Sequence, residues 1–261
     1  MVLLWDRGVV RVAGRDAGTL LQGLLTNDVL KLVAGQSRYA ALLSPQGKIL
    51  FDFIVFRIAE DEFLLDAPAA RTAELAKRLG FYKLRAEADI ADVSADWAVV
   101  GQADGAPADP RAEALGGRGL VPRTIAPAPD AAALAAYEAA RIAAGVPEGG
   151  RDFTYGEIFP HDANLDLLNG VDFAKGCYVG QEVVSRMKHR GEVRKRIARV
   201  ALDGPAPATG SPVLDGDLPV GALGTAAGSQ GLALLRLDRV EAAEQVGRPL
   251  SVQGVRVSRV L

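Results

Sequence analysis

The sequence predicts an α+β protein that ends in a small β-barrel, and three observations carry this prediction. Residues 38–44 and 48–58 read as two paired strands that turn around Pro45-Gln46-Gly47. Asp130 is a good helix N-cap, and a helix is expected to follow it. From Val193 onward, short apolar runs alternate with Gly-Pro and Asp-Gly turns, which is typical of a minimal barrel of about 60 residues.

The N-terminal part of the chain supplies the other predicted elements. Residues 3–12 read as two short strands joined by a turn. Asp16 is the predicted N-cap of a helix, because apolar residues recur at helical spacing behind it. Residues 63–66 read as a further strand, and residues 68–80 as a helix that Pro opens and Gly closes. Apolar and charged residues alternate over 84–90, which predicts a strand with one wet face.

Two segments lack a regular period. Residues 101–130 are rich in Gly, Pro and Asp and are predicted to be loops. Residues 146–180 are polar but contain aromatic and leucine side chains, so we expect an ordered, irregular segment of the kind that usually carries function. We divide the chain into a region over 1–195, made of two intertwined α+β subdomains, and a barrel domain over 196–261.

Composition restricts the classes of protein that this chain can belong to. The chain has 261 residues, 49% hydrophobic and 24% charged, which suffices for the sizeable core of a globular protein. The net charge is −2 and 6% of residues are aromatic. No global field therefore attracts nucleic acid or a membrane, and we expect neither as a partner. We also expect no secretory signal and no spanning helix, and a single cysteine favours a reducing compartment.

The most unusual local feature is the motif Lys175-Gly176-Cys177-Tyr178-Val179-Gly180-Gln181-Glu182, which holds the only cysteine. Glycine permits positive φ and close backbone approach, so the loop can bend sharply before a helix predicted over 181–189. Peptide N–H groups at the start of that helix, together with Lys175, would favour the thiolate form of Cys177. A buried cysteine that packs as a small hydrophobe is the alternative that the residues alone leave open.

Other chemistries at this cysteine have weaker support in the pattern. Cys177 could form a nucleophilic pair with His161 or His189, but the spacing matches no local signature of such a pair. The same side chains with Asp162 could bind zinc chemically, but their spacing is not a ligand pattern, and we predict no metal site. One cysteine cannot hold an iron–sulfur cluster, so Cys177 could at most supply one ligand to a cluster shared with a partner.

Two basic features each allow two interpretations. Arg141 lies near the end of the helix that follows Asp130, where a cation is favoured by the helix dipole. Alternatively, its planar fork recognises a flat polar ligand bidentately. Residues 186–196 form a basic stretch in an acidic chain, which is either a solvated face or a patch for an anionic ligand tail or an acidic partner.

The cysteine motif, continued by Arg186 and His189-Arg190-Gly191, resembles the signature of the YgfZ family of folate-binding proteins. That family includes a mitochondrial iron–sulfur assembly factor and is related to the glycine-cleavage T-protein, an aminomethyltransferase. The resemblance extends over nearly the whole chain. Further blocks that resemble the family are residues 20–29, 43–49, 141–147 and 164–166.

The resemblance implies an α+β, T-protein-like fold of three parts around a central funnel for tetrahydrofolate, with the small β-barrel at its C-terminal end. It assigns folate contacts to Arg141, Lys175 and Gln181, and it makes Cys177 the functional thiol at the catalytic position. The other motif residues that it marks are Gly176, Gly180, Glu182 and Arg186.

Departures from the T-protein pattern argue against aminomethyl transfer. Ala73 falls where T-proteins carry an aspartate tied to the one-carbon chemistry, in a gap-free comparison that starts at Asp66. Gly149 falls where a folate-contacting tyrosine is expected. The Gly-Glu segment of T-proteins has no clear match between Gly116 and Pro129.

The sequence thus predicts a tetrahydrofolate-binding protein that supports the assembly or repair of iron–sulfur proteins. Its expected partners are folate and iron–sulfur assembly or client proteins, and the resemblance implies a connection with tRNA modification. The alternatives are a folate-dependent aminomethyltransferase of the T-protein type and a non-catalytic interaction module that uses the basic stretch. The expected location is the cytoplasm of a bacterium or, in a eukaryote, the mitochondrial matrix.

Overall fold

A computed structural model describes residues 1–191 and 193–260, with the backbone alone at Arg190. Within these residues the chain forms two antiparallel sheets and a closed barrel. The predicted α+β class with a C-terminal barrel is confirmed. None of the described helices combines the length and the apolar character that crossing a membrane would require.

The larger sheet has five strands in the order β3-β4-β5-β2-β6. Its strands are β2 (Arg7–Ala13), β3 (Ser37–Leu43), β4 (Ile49–Ala59), β5 (Glu62–Pro68) and β6 (Asp89–Asp92). Two helices, α1 (Ala17–Leu24) and α2 (Thr72–Lys83), pack against one face of this sheet. The predicted pairing of 38–44 with 48–58 is confirmed, because β3 and β4 are antiparallel neighbours.

Both faces of this sheet are buried. Phe51 and Phe53 of β4 join one core with Leu21 of α1 and Leu75 of α2. Ile54, the next residue of the strand after Phe53, belongs to a second core, to which the irregular segment also contributes. Burial on both faces explains why β4 reads as a nearly continuous apolar run instead of an alternating one.

A second sheet is built from chain segments that precede and follow the five-stranded sheet in the sequence. Its strands are β1 (Val2–Leu3), β7 (Trp97–Gly101) and β8 (Arg118–Pro122), in the order β1-β7-β8. The chain therefore begins in this sheet, builds the five-stranded sheet, and then returns. Helix α3 (Ala131–Ala143) follows, and the Asp130 side chain accepts hydrogen bonds from the N–H groups of Ala132 and Ala133, which confirms the predicted N-cap.

The barrel closes in the order β10-β11-β12-β9-β14-β13. Its strands are β9 (Lys195–Leu202), β10 (Pro212–Asp215), β11 (Leu218–Ala227), β12 (Gln230–Arg236), β13 (Leu250–Val252) and β14 (Val255–Arg259). Helix α5 (Leu237–Gln245) packs its buried Val240 into the barrel core. The predicted helix over 181–189 is confirmed as α4 (Gln181–Arg190), which leads from the irregular segment towards the barrel.

Several local predictions were wrong. The two strands predicted over 3–12 exist, but β1 pairs with β7 and β2 pairs with β5 and β6, so they form no hairpin. Asp16 occupies the predicted N-cap position of α1, but its side chain makes no capping bond, because its carboxylate accepts the N–H of Glu87 instead. The loops predicted over 101–130 contain β8, which is anchored by the antiparallel pairing with β7.

The end of α2 also differs from the prediction. Gly80 does not close the helix, since α2 continues to Lys83. Burial of Leu75 and Leu79 outweighs the cost of an exposed glycine, about 1 kcal/mol. The strand predicted over 84–90 is reduced to β6, because Leu84 takes a positive φ of 45° that ends regular structure.

Candidate functional site

The segment that carries Cys177 is held by contacts with two distant parts of the chain. We call residues 172–180 the thiol loop. It lies between the irregular segment and α4, and it contacts the end of α1 and the turn between β3 and β4. These are the places where blocks 20–29 and 43–49 fall, so three blocks that are far apart in sequence meet at one loop.

Lys175 joins the thiol loop to the end of α1. Its Nζ donates to the carbonyls of Gln22, Leu25 and Asn27 at 2.8, 2.6 and 2.9 Å. A cation at a helix C-terminus satisfies carbonyls that have no partner within the helix and complements the dipole. Burial lowers the pKa of Lys175 to about 8, so the ammonium form still prevails at neutral pH. All three ammonium hydrogens are used within the protein.

Gly180 joins the loop to the turn between β3 and β4. Its φ is +83°, a region that favours glycine, and an added Cβ would lie 2.6 Å from the Ser44 carbonyl oxygen. Gly47 on the other side has φ +80°, and its Cβ would lie 2.9 Å from Val183. Two glycines are therefore required for α4 to begin this close to the turn.

A third set of bonds fixes the start of the loop. One Asp172 carboxylate oxygen accepts the N–H groups of Ala174 and Lys175, at 2.7 and 3.1 Å, and the other contacts the ammonium of Lys31. The N–H of Asp172 donates to the carbonyl of Thr26 at 3.0 Å. These bonds make the loop an Asx-type turn attached to the segment after α1.

Cys177 is exposed at the tip of this fixed loop. The next residue, Tyr178, is buried in the second core and anchors the backbone beside the thiol. Gly176 has open space where a Cβ would stand and no positive φ. The sequence alternative of a buried, packing cysteine is therefore wrong, because the side chain projects to solvent.

The remaining motif residues lie on α4. Glu182 and Arg186 form an exposed ion pair at 2.7 Å, one turn apart. Gln181 is half-buried, and its backbone N–H donates to the Tyr178 carbonyl. The folate contacts predicted for Lys175 and Gln181 stay predictions, and for Lys175 the geometry favours the clamp over a ligand contact.

Arg141 lies in the last turn of α3, and its side chain is fully buried. Its guanidinium donates to the Val146 carbonyl, to Asp152, to both carboxylate oxygens of Glu138 and to the hydroxyl of Thr225, at 2.7 to 3.1 Å. All five N–H groups therefore have protein acceptors, and the side chain ties α3 to the barrel strand β11. Its folate contact also stays a prediction, and any ligand would have to displace one of these partners.

The interior between the two sheets is filled by paired polar groups. Asp66 is fully buried between the guanidinium groups of Arg7 and Arg118, both at 2.7 Å. The Asp52 carboxylate accepts hydrogen bonds from the phenols of Tyr39 and Tyr155, at 2.9 and 2.5 Å. Burial and the Asp52 charge raise the pKa of Tyr155 far above its ordinary value, so it remains a neutral donor.

The two T-protein departures have different physical settings in the structure. Ala73 is exposed in the first turn of α2, so the gap-free comparison places the T-protein aspartate at a solvent-exposed helix position in this chain. At Gly149, a Cβ would stand 2.2 Å from the Tyr155 phenol and 2.6 Å from Asp52. The Tyr155 ring thus occupies the space of any side chain at position 149, and no tyrosine can stand there.

A polar cleft of about 450 Å³ opens beside β3. Its lining includes Gln36, Arg38, Tyr39 and Asn169, together with residues 107–110 and 112–113. The Arg38 Nε is buried without a partner in the part of the chain that the structure describes. Sequence reasoning assigned none of these residues, because the arginine carries no local signal and the cleft joins segments far apart in the chain.

Within the residues that the structure describes, neither His161 nor His189 forms a hydrogen bond with Cys177. His189 is exposed on α4, whereas His161 is 2% exposed, and both its ring nitrogens lack a partner among the described residues. Burial lowers the pKa of His161. No group of three His, Cys, Asp or Glu side chains within residues 1–191 and 193–260 is arranged to hold a metal ion. Of the basic stretch, the Arg190 side chain and Glu192 lie outside the described residues.

The fold defines the class of this protein. A glycine cleavage system aminomethyltransferase T from Bartonella henselae superposes with a TM-score of 0.76 over 100% of this chain and 84% of that one, at 19% identity. The profile of the GCVT N-terminal domain matches residues 6–104, and that of the CAF17 C-terminal beta-barrel domain matches residues 194–260. The chain therefore has a GcvT-like fold followed by a CAF17-type barrel.

The chain belongs to the family of the iron–sulfur cluster assembly factor IBA57. The mitochondrial IBA57 of Mus musculus is 34% identical, over 90% of this chain and 77% of that protein. The IBA57 of Homo sapiens is 33% identical with the same coverage. A homologue from Mycosarcoma maydis is 37% identical over 75% of this chain, which spans only 55% of its length. All three relatives are named as mitochondrial proteins.

Proposed function

We propose that this chain supports the assembly or repair of iron–sulfur proteins and that Cys177 is its working thiol. The observation that carries the proposal is an exposed thiol at the tip of a loop that Lys175, Asp172 and Gly180 fix from three sides. Family membership supports it, since the relatives are named iron–sulfur cluster assembly factors. We include in this proposal the relationship to the YgfZ family of folate-binding proteins that the cysteine motif indicates.

A single thiolate sets the chemistry that Cys177 can perform. An iron–sulfur cluster takes about four protein ligands, so this chain contributes one and a partner protein contributes the others. A fixed loop lowers the entropic cost of presenting the ligand, because the backbone is already ordered before the partner arrives. The partner is therefore an iron–sulfur assembly or client protein that carries its own cysteines.

Replacement of Cys177 tests this role directly. Cys177→Ser keeps the shape and removes the sulfur, and we expect it to unfold within a few degrees of the wild type, since the side chain is exposed. It should fail to restore iron–sulfur enzyme activity in cells that lack the native protein. Gly176→Ala is the matched control at the neighbouring position, where a Cβ meets open space. Full restoration by Cys177→Ser would remove the thiol from the function.

The second part of the proposal is that the chain binds tetrahydrofolate in the cleft beside Arg38. The cleft volume of about 450 Å³ lies in the range of small-molecule sites, about 300–1,000 Å³. Folates carry carboxylates on their glutamate tail, and the unpartnered Arg38 Nε is a donor of the right charge. We therefore propose Arg38 as the folate-binding arginine in place of Arg141, whose N–H groups all have protein acceptors. The Arg38 guanidinium makes one long contact, 3.5 Å from the Asn27 side-chain oxygen.

Calorimetry with tetrahydrofolate tests the cleft. Arg38→Met should weaken binding by about 1.5–3 kcal/mol, the usual value of a charged hydrogen bond. Lys195→Met, an exposed lysine on the barrel, is the control and should bind like the wild type. No heat from the wild-type chain would contradict folate binding itself, whereas equal affinity of wild type and Arg38→Met would contradict only the location.

Aminomethyl transfer is not part of the proposal. A general acid–base carboxylate must approach the folate, and Asp66 is held between two arginines with no exposed surface. A missing acid–base group lowers rates by roughly 10²–10⁴-fold. Methylenetetrahydrofolate formation in a reconstituted glycine-cleavage assay, at the rate of a T-protein, would overturn this exclusion.

A further inference from the structure

The C-terminal end of α2 projects two large apolar side chains into solvent. Phe81 is 64% exposed, and Leu84, the first residue after the helix, is 88% exposed. We call residues 77–85 the α2 tip. The opposite face of the helix buries Leu75 and Leu79 in the first core, so the tip projects from a helix that is firmly attached.

The backbone of Leu84 makes this exposure costly. Its φ and ψ are 45° and −105°, outside the regions that residues with a Cβ prefer. Glycine is the residue that normally occupies a left-handed position after a helix. A leucine at this position gains nothing from packing and strains the backbone, so neither fold stability nor local conformation accounts for it.

Four cationic residues flank Phe81 and Leu84 in the sequence of the α2 tip. Lys77, Arg78, Lys83 and Arg85 make no ion pair or side-chain hydrogen bond with any residue that the structure describes. The neighbouring carboxylates have their own partners and do not neutralise the tip. Glu74 pairs with Arg71 at 2.8 Å, and Glu87 pairs with Arg15 at 2.7 Å.

We propose that the α2 tip inserts Phe81 and Leu84 into an anionic membrane surface, with the four cations at the lipid headgroups. Apolar side chains flanked by Lys and Arg are the pattern by which interfacial helices bind such membranes. Charge complementarity favours this occupant, because the neighbouring carboxylates of Glu74 and Glu87 are engaged by other arginines and leave the positive charge of the tip free to meet anionic headgroups. The net charge of −2, which predicts no membrane partner, averages over the whole chain and hides this local patch.

Vesicle sedimentation of the full chain tests the proposal. Phosphatidylcholine vesicles with phosphatidylglycerol should bind the protein, and pure phosphatidylcholine vesicles should bind it at least tenfold more weakly. Binding to the anionic vesicles should fall at high salt, because the headgroup attraction is screened within a Debye length. Replacing Lys77 and Lys83 together by Gln should weaken binding on the order of 30-fold, from two lost cations near the surface.

Leu84→Gly separates a membrane role from a structural one. The substitution relieves the positive φ, so the thermal midpoint should stay equal or rise. Membrane binding should nevertheless fall about tenfold, since the most exposed apolar side chain is lost. Leu167→Ser is the matched control, because Leu167 is 65% exposed and belongs to the irregular segment, not to the α2 tip. It should bind vesicles like the wild type.

Three results would overturn the membrane assignment. The first is a wild-type chain that ignores anionic vesicles, and the second is a Leu84→Gly chain that binds them as tightly as the wild type. The third is equal binding to neutral and anionic vesicles, which would remove the cations from the interaction. If the chain ignores vesicles but Leu84→Gly loses function in cells, the tip docks to a protein partner instead.

Discussion

Lys175 is the residue at which a structural and a ligand-binding role make opposite predictions. The perturbation is Lys175→Met, which keeps the length of the side chain and removes the ammonium. As a clamp, the ammonium supplies three hydrogen bonds to buried carbonyls, at 2.6 to 2.9 Å. As a folate contact, it would face a ligand and have little effect on the free energy of unfolding.

The magnitude follows from two opposing terms. Three hydrogen bonds from a charged donor contribute about 1.5–3 kcal/mol each. Burial of the ammonium opposes them, because it lowers the pKa from 10.5 to about 8, which corresponds to about 3–4 kcal/mol at about 1.4 kcal/mol per pKa unit. The bonds prevail, and the loss of stability should be about 2–5 kcal/mol. For a chain of this size the thermal midpoint should fall by roughly 5–15 °C.

Urea unfolding and tetrahydrofolate calorimetry on the same variants decide between the roles. Lys195→Met removes an exposed lysine and should change stability by less than about 0.5 kcal/mol. If Lys175→Met is as stable as this control but loses folate affinity, the clamp is wrong and Lys175 faces the ligand. A destabilised variant that binds folate normally after correction for its folded fraction would confirm the clamp.

Three further predictions concern positions with defined surroundings. Gly180→Ala should lower the free energy of unfolding by about 2 kcal/mol or more, because the position has a positive φ and a close carbonyl. Gly176→Ala should change it by less than about 0.5 kcal/mol. Equal effects of the two substitutions in urea unfolding would contradict the described packing. Arg141→Met should cost about 3–5 kcal/mol, because it leaves the buried Asp152 carboxylate without its cation; a stable variant would refute this. His161 is buried with a lowered pKa, so the unfolded chain takes up its proton first and stability is lost as pH falls below about 6.5. His161→Leu should flatten the thermal midpoint between pH 7 and 5 relative to wild type, and an unchanged slope would show that this imidazole is not responsible.

The elements that the sequence predicts well are those whose signals are local. Asp130 caps α3 through its own side chain, and the β3–β4 pair is flagged by the turn between two apolar runs. The barrel follows from closely spaced turns, which need no distant partner to be recognised. In each case a short window of sequence contains both the element and the residue that ends it.

The elements that it predicts poorly depend on distant partners. Asp16 stands at the predicted N-cap position, yet its carboxylate accepts the N–H of Glu87, 71 positions away, instead of an N–H of its own helix. The strand β8 is set by pairing with β7 within a stretch rich in Gly and Pro. Lys175 stands beside the cysteine in the motif and suggests an electrostatic role there, but its side chain turns to the end of α1. Local pattern contains no record of such long-range contacts.

The structure also divides the cysteine motif into residues that the fold explains and residues that it does not. Lys175 clamps α1, Tyr178 fills the second core, and Gly180 allows the close approach to the turn between β3 and β4. Each of these would be required in a protein that used the loop only as a connection. Cys177 is different, because its side chain is exposed and belongs to neither of the two cores that the described residues form around the larger sheet. Three residues thus hold rigid a segment whose tip has no structural task, and rigidity of that kind is useful only if the tip must meet something outside the chain. The case for Cys177 as the functional residue therefore rests on what its neighbours do, and it is stronger than the case that exposure alone would make.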